Sequence, residues 1–140
     1  MKTMKELFEH QLKDLYNAET QLINALPKMK SSANDSALKD AFESHLEETK
    51  RHQQKLAEIC EELNVSPKGE KCNAMEGLIK EAEGLIDEAE NDDVMDAGLI
   101  ADAQRIEHYE IAGYGTVVRY AKELGHDKIA GQLQEILDDE

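Results

Sequence analysis

Glu19 stands where an apolar residue is expected. Phe8, Leu12, Leu15, Glu19, Leu22, Leu26 and Met29 step along the chain at intervals of 4 and 3 residues, the repeat of one helix face. Glu110 takes the central place of another such seam, Leu99, Ala103, Ile106, Glu110, Gly113, Val117, Tyr120 and Leu124. Glu140 falls in step with Ile129, Leu133 and Ile136, and Glu48 lies one place off the seam Leu38, Phe42, His45, Thr49, His52, Leu56, Ile59 and Leu63. His45, Glu48, Thr49 and His52 share a face, because positions three, four and seven apart stack on a helix. Glu107 precedes Glu110 by one turn, beside the seam.

Ionised carboxylates inside a helical bundle repel one another and lose hydration, so they protonate, swell the bundle or are neutralised by cations. Glu19, Glu48, Glu110 and Glu140 carry four negative charges, which two divalent metal ions cancel. Nitrogen beside many oxygens suits iron or manganese better than a thiolate-type metal site. The spacing therefore predicts ligation by Glu19 and Glu110, ahead of the alternative that each is a solvent-facing exception in an imperfect stripe. Glu48 has an alternative as an exposed pair with Glu47, and Glu107 stays open between ligand, partner of a ligand and exposed residue. His45 and His52 read as interior histidines bonded to a carboxylate or carbonyl, with ligation the alternative for either and the stronger one for His52, nearer Glu48. His108 points about 100° away from Glu107 and reads as peripheral, while His10 and His126 read as surface or cap residues. Tyr16 and Tyr114 either hydrogen-bond near the centre or pack there.

Five helices must position these groups. The first opens at a capping box, Thr3 to Glu6, and runs to about Met29, a length of ~40 Å at ~1.5 Å per residue, with Pro27 expected to kink or fray its last turn. The second runs from about Ser36 to Leu63 and the short third from Met75 to Ala89, with Met75, Leu78, Ala82, Leu85 and Ala89 on one stripe. The fourth runs from about Val94 to Leu124; Gly125 stops it, and Asp127 is expected to cap the fifth. Glu19 to Glu48 is 29 residues and Glu110 to Glu140 is 30, so two long helical hairpins echo one another across the short helix.

The chain's 140 residues fit a single domain, 1–140, and a content of two Pro, no Trp and 4% aromatics without an alternating β-branched run predicts an all-α fold. A net charge of −15 repels phosphate backbones and anionic lipid, which argues against nucleic acid as a partner. No stretch approaches the roughly 20 apolar residues that span a bilayer, and Met1 to His10 is charged, so no membrane association and a cytoplasmic location are expected. Cys60 and Cys72 are too few and wrongly spaced for a zinc site or disulfide framework and read as structural thiols.

The segments Leu15-Tyr16-Asn17-Ala18-Glu19-Thr20-Gln21-Leu22, His45-Leu46-Glu47-Glu48-Thr49-Lys50-Arg51-His52 and Gln104-Arg105-Ile106-Glu107-His108-Tyr109-Glu110-Ile111-Ala112 resemble the YciE/YciF stress-protein family of the ferritin-like superfamily. The resemblance implies an antiparallel four-helix bundle with an additional short helix, a homodimer, and kinship with rubrerythrins, ferritins and manganese catalases. It places metal ligands at Glu19, Glu48 with His52, Glu110 and Glu140, and likens Glu107 and Glu110 to the doubled glutamate of rubrerythrins. It implies two divalent metal ions, iron ahead of manganese, and redox chemistry on a small oxidant, peroxide or oxygen. The usual Glu-x-x-His is here Glu48-x-x-x-His52, and no Cys-x-x-Cys electron-transfer module is found. The alternative expectation is a non-enzymatic stress-response bundle acting by self-association or partner binding, with a vestigial metal site; metal storage is a third.

Overall fold

Side-chain caps start four of the five helices in the computed structural model, which describes residues 1–140. Thr3 Oγ1 accepts from the Glu6 N–H at 3.0 Å and opens α1 (Met4–Ser32), and Asp35 accepts from the Leu38 N–H at 3.0 Å to open α2 (Ser36–Glu62). Cys72 accepts through Sγ from the Met75 N–H at 3.3 Å at the head of α3 (Asn73–Glu88). Asn91 accepts from the Val94 N–H at 2.9 Å to begin α4 (Asp92–Glu123). The last, α5 (Asp127–Asp139), begins at His126 without a side-chain cap; Asp127, expected as the cap, lies in its first turn. The His126 ring instead stacks on Phe8 at 6.1 Å. Gly125, at φ +79°, supplies the left-handed residue that turns the chain from α4 into α5.

The fold is all-α, an antiparallel four-helix bundle of α1, α2, α4 and α5 with the short α3 laid against α1 and α4. The helix α1 stays helical through Pro27 to Ser32, three residues beyond the expected end. No helix is long and apolar enough to cross a membrane.

The apolar interior comes in two parts. Phe8, Leu12, Leu15, Leu56, Ile59, Tyr114, Val117 and Leu133 belong to one, and Leu22, Leu26, Met29, Phe42, Met75, Leu99 and Ile106 to the other. Each fully buried leucine contributes about 1.5–3 kcal/mol, and this aggregate holds together what lies between. On α1 the divide falls at Glu19, on α2 at Thr49 and His52, and on α4 at Glu110, all four buried. A charged layer thus crosses the middle of the bundle.

Along α4 the buried face is rotated from the expected seam: Tyr114 and Ala121 are buried in place of Gly113 and Tyr120. A strict 4–3 repeat drifts by ~20° per heptad against the 3.6-residue turn, which matters over 32 residues. At Gly113 a Cβ would come 2.7 Å from Leu15 Cδ2, so the missing side chain lets α4 lie close to α1 near the charged layer. Asp96 ties the same two helices from the far end, its carboxylate accepting from the Asn34 N–H at 2.7 Å and the Asp35 N–H at 2.9 Å in the α1–α2 turn.

Candidate metal centre

Each long helix delivers its polar residue to the same depth. Glu19 comes from the middle of α1, His45 and His52 from α2 two turns apart, Glu110 from the middle of α4, and Glu140 from the C-terminal cap of α5. One donor atom each from Glu19, His52 and Glu110 lie within 4.8 Å of one another, and so do those of His45, Glu110 and Glu140. Glu110 belongs to both groups. Glu19 and Glu110 are fully buried, and the Glu140 side chain is 3% exposed.

These atoms lack partners. Both carboxylate oxygens of Glu19, both of Glu110, Nε2 of His45, Nδ1 of His52 and the Tyr114 hydroxyl are buried without a hydrogen bond. A native interior leaves few such groups, because each unsatisfied one costs about 1–3 kcal/mol and more when charged. Here they converge on one place. The contacts between them are long: His52 Nδ1 is 3.6 Å from Glu19 Oε2 and 3.4 Å from Glu140 Oε1, and His45 Nε2 is 3.5 Å from Glu110 Oε1. Oxygen and imidazole nitrogen converging without thiolate form a set able to hold a hard or borderline cation.

The protonation equilibria carry the same strain. Burial pushes the Glu110 carboxyl well above its ordinary 4.5, and Glu19 and Glu140 push it further. For His52 burial alone would lower the pKa, but the carboxylates of Glu140, Glu19 and Asp139 overcome it and raise the ring from 6.5 to about 10. Tyr114 is held firmly as the neutral phenol, first by burial and then by the surrounding carboxylates. Without a metal ion, protons do the neutralising.

Four of the six glutamate and histidine residues expected as ligands converge here: Glu19, His52, Glu110 and Glu140. Glu48 is half-buried and in neither close group; burial raises its pKa, with Glu140 and Asp139 adding to the rise and His52 opposing it. Glu107 is exposed, on the solvent side of α4, and takes no part in the cluster. With no helix packed over that side, the turn before Glu110 has nothing to be a ligand into. His45, left open between interior histidine and ligand on the strength of the face it shares with His52, joins the second group. Asp139, whose Oδ2 accepts from His52 Nε2–H at 3.0 Å, gave no sequence signal. Asp102, a further buried acid on α4, sits outside the centre and pairs with Arg105 at 3.3 Å.

Cys72 serves another purpose. The Tyr109 hydroxyl donates to Asp14 Oδ2 at 2.6 Å and lies 3.1 Å from Cys72 Sγ, while the Cys72 N–H donates to Asn17 Oδ1 at 2.7 Å. This network fastens the head of α3 to α1 and α4 beside the centre, and both cysteines are free and buried.

Residues 3–140 match a family model described as a domain of unknown function, DUF892. The chain belongs to the DUF892 family. This DUF892 chain is 46% identical over 141 residues to Protein YciF of Escherichia coli (strain K12), covering all of this chain and 85% of that protein. The crystal structure of the E. coli stress protein YciF superimposes with a TM-score of 0.95 at 46% identity, over 99% of this chain and 88% of that one. YcfI from Rhodopseudomonas palustris gives a TM-score of 0.95 at 43% identity, over 99% and 88%. YciF places the family in the ferritin-like superfamily.

Proposed function

We propose that this DUF892 protein is a dinuclear metal protein acting in a stress response, whose cations Glu19, His45, His52, Glu110 and Glu140 would hold. The observation that carries the reading is the convergence of unpartnered buried donor atoms from Glu19, His45, His52 and Glu110 on one layer. Glu19 and His52 would hold one cation, His45 and Glu140 the other, with Glu48, half-buried and outside both close groups, proposed as a further carboxylate of the shell. Iron is preferred to manganese on family resemblance.

A bound pair of such ions supplies reversible one-electron chemistry suited to reducing peroxide or oxygen, the small oxidants proposed as substrates. The chain's own residues do the rest. The two apolar half-cores keep water from the charged layer on both sides. The Tyr114 hydroxyl, buried without a partner four residues along α4 from Glu110, would offer its hydrogen to the neighbouring carboxylates. The proposed assembly is a homodimer.

The test is elemental analysis after anaerobic reconstitution with Fe(II), and separately Mn(II), of the wild type, Glu19→Gln and Glu107→Gln. About two ions per chain in the wild type and in Glu107→Gln, lost in Glu19→Gln, support the reading. Negligible metal in the wild type refutes it and leaves a stress-response bundle that acts through self-association or partners.

A further inference from the structure

The two nitrogens of His52 face different surroundings. Nδ1 turns inward, 3.4 Å from Glu140 Oε1 and 3.6 Å from Glu19 Oε2, while Nε2 turns outward and donates to Asp139 Oδ2 at 3.0 Å. Asp139 immediately precedes Glu140, yet the two carboxylates are used differently: the Glu140 side chain is 3% exposed and the Asp139 side chain 49%. A carboxylate only accepts, so a hydrogen must reside on Nε2. The ring form that remains when the inner nitrogen is free of its proton carries its lone pair on Nδ1, aimed at the layer of Glu19 and Glu110. Tyr114 meets the ring edge-on at 6.2 Å, which limits its rotation from the other side.

From this geometry we infer that Asp139 is a positioning residue: it fixes His52 as the Nε2–H tautomer and presents Nδ1 to a metal ion. The inference rests on the metal-centre reading above. A histidine ligand whose distal N–H is held by a carboxylate has a set ring orientation and a more basic donor nitrogen, and removal of such a partner typically weakens metal binding 10- to 100-fold. Glu140 and Glu19 lie at the ring's Nδ1 side and Glu48 is a further charge acting on it, but none of them is hydrogen-bonded to Nε2. Sequence reasoning had no access to this, because Asp138, Asp139 and Glu140 are alike as an acidic run and only the seating of α5 on α2 tells them apart.

The experiment titrates Zn(II) into the metal-free full chain, comparing wild type, Asp139→Ala and Asp138→Ala. The second variant removes the same charge from the same turn without touching His52, since Asp138 pairs with Gln134. The Zn(II)-loaded samples are then examined by long-range proton–nitrogen correlation of the histidine rings. Expected are a 10- to 100-fold weaker affinity in Asp139→Ala only, and a wild-type His52 signal with hydrogen on Nε2 and metal on Nδ1 that is lost or mixed in that variant. Equal affinities and identical His52 signals in wild type and Asp139→Ala overturn the inference, as does metal on Nε2 in the wild type. Equal weakening by both variants reduces Asp139 to a general charge and also overturns it. A wild type that binds no Zn(II), Fe(II) or Mn(II) removes the metal reading itself, a distinct outcome. Retained helical circular dichroism in the variants guards against misfolding.

Discussion

Kept metal-free by a chelator, the protein should lose stability as the pH rises from about 6 to about 10, and replacing His52 by Gln should remove most of that loss. In the folded chain His52 has a pKa of about 10 against 6.5 unperturbed. Because the folded value is the higher, the stabilisation is complete below pH 6.5 and disappears as the pH climbs through about 10. At ~1.4 kcal/mol per pKa unit the full shift sets a ceiling of about 5 kcal/mol. Asp139 is half in solvent and the three carboxylates compete for one ring, which brings the expected figure to about 2–3 kcal/mol. Glu110 slopes the same way, since its raised pKa means that the folded state holds a proton the unfolded state has released. The assay is urea unfolding followed by circular dichroism at about pH 6, 8 and 10 in chelator. Wild-type stability should fall by about 2–3 kcal/mol more than that of His52→Gln. Parallel curves for the two proteins would show that His52 carries no charge worth stabilising, and the account of a layer neutralised by protons would fail.

The same protons must leave when metal enters, so metal affinity should rise at least about tenfold per pH unit near neutrality, and calorimetry in buffers of different ionisation enthalpy should register proton release. Asp96→Ala should destabilise the fold by about 1–3 kcal/mol in urea by freeing the two N–H groups of the α1–α2 turn, with metal stoichiometry unchanged. Tyr114→Phe removes an unpartnered buried hydroxyl, and in the metal-free protein it should be neutral or stabilising by up to about 1 kcal/mol. A clear loss of stability in that variant would mean that the hydroxyl has a partner after all.

Glu19 was legible because unbroken apolar spacing on both sides makes a carboxylate there harder to read as a solvent-facing exception, and the burial of its neighbours follows from the same spacing. Glu110 was legible for the same reason, and Tyr114 reads near the centre, but the sequence leaves the fate of Glu107 open. Over a helix as long as α4 the buried face drifts, so Tyr114 came to the centre and Glu107 moved out to solvent. The Cys72 cap escaped notice because cysteine is not among the residues that ordinarily cap helices. Asp96 and Asp139 act across separate elements, at 61 and 87 residues' separation, where no local pattern reports the contact. His45 stayed open between interior histidine and ligand, because a histidine on an apolar face is ordinary until the carboxylate opposite it is known.

A bundle whose hydrophobic interior is cut in two by a band of charge has two apolar halves joined by its least favourable contacts. Cations bound in that band would act as rivets, making the halves open together, whereas in their absence each half is free to fluctuate on its own. Amide hydrogen exchange should then show one tier of protection in the loaded protein and two in the stripped one, with α3 and the first half of α4 exchanging apart from α5 and the second half. Metal content would in this way set how many cooperative units the chain contains, and with it which segments a protease meets first.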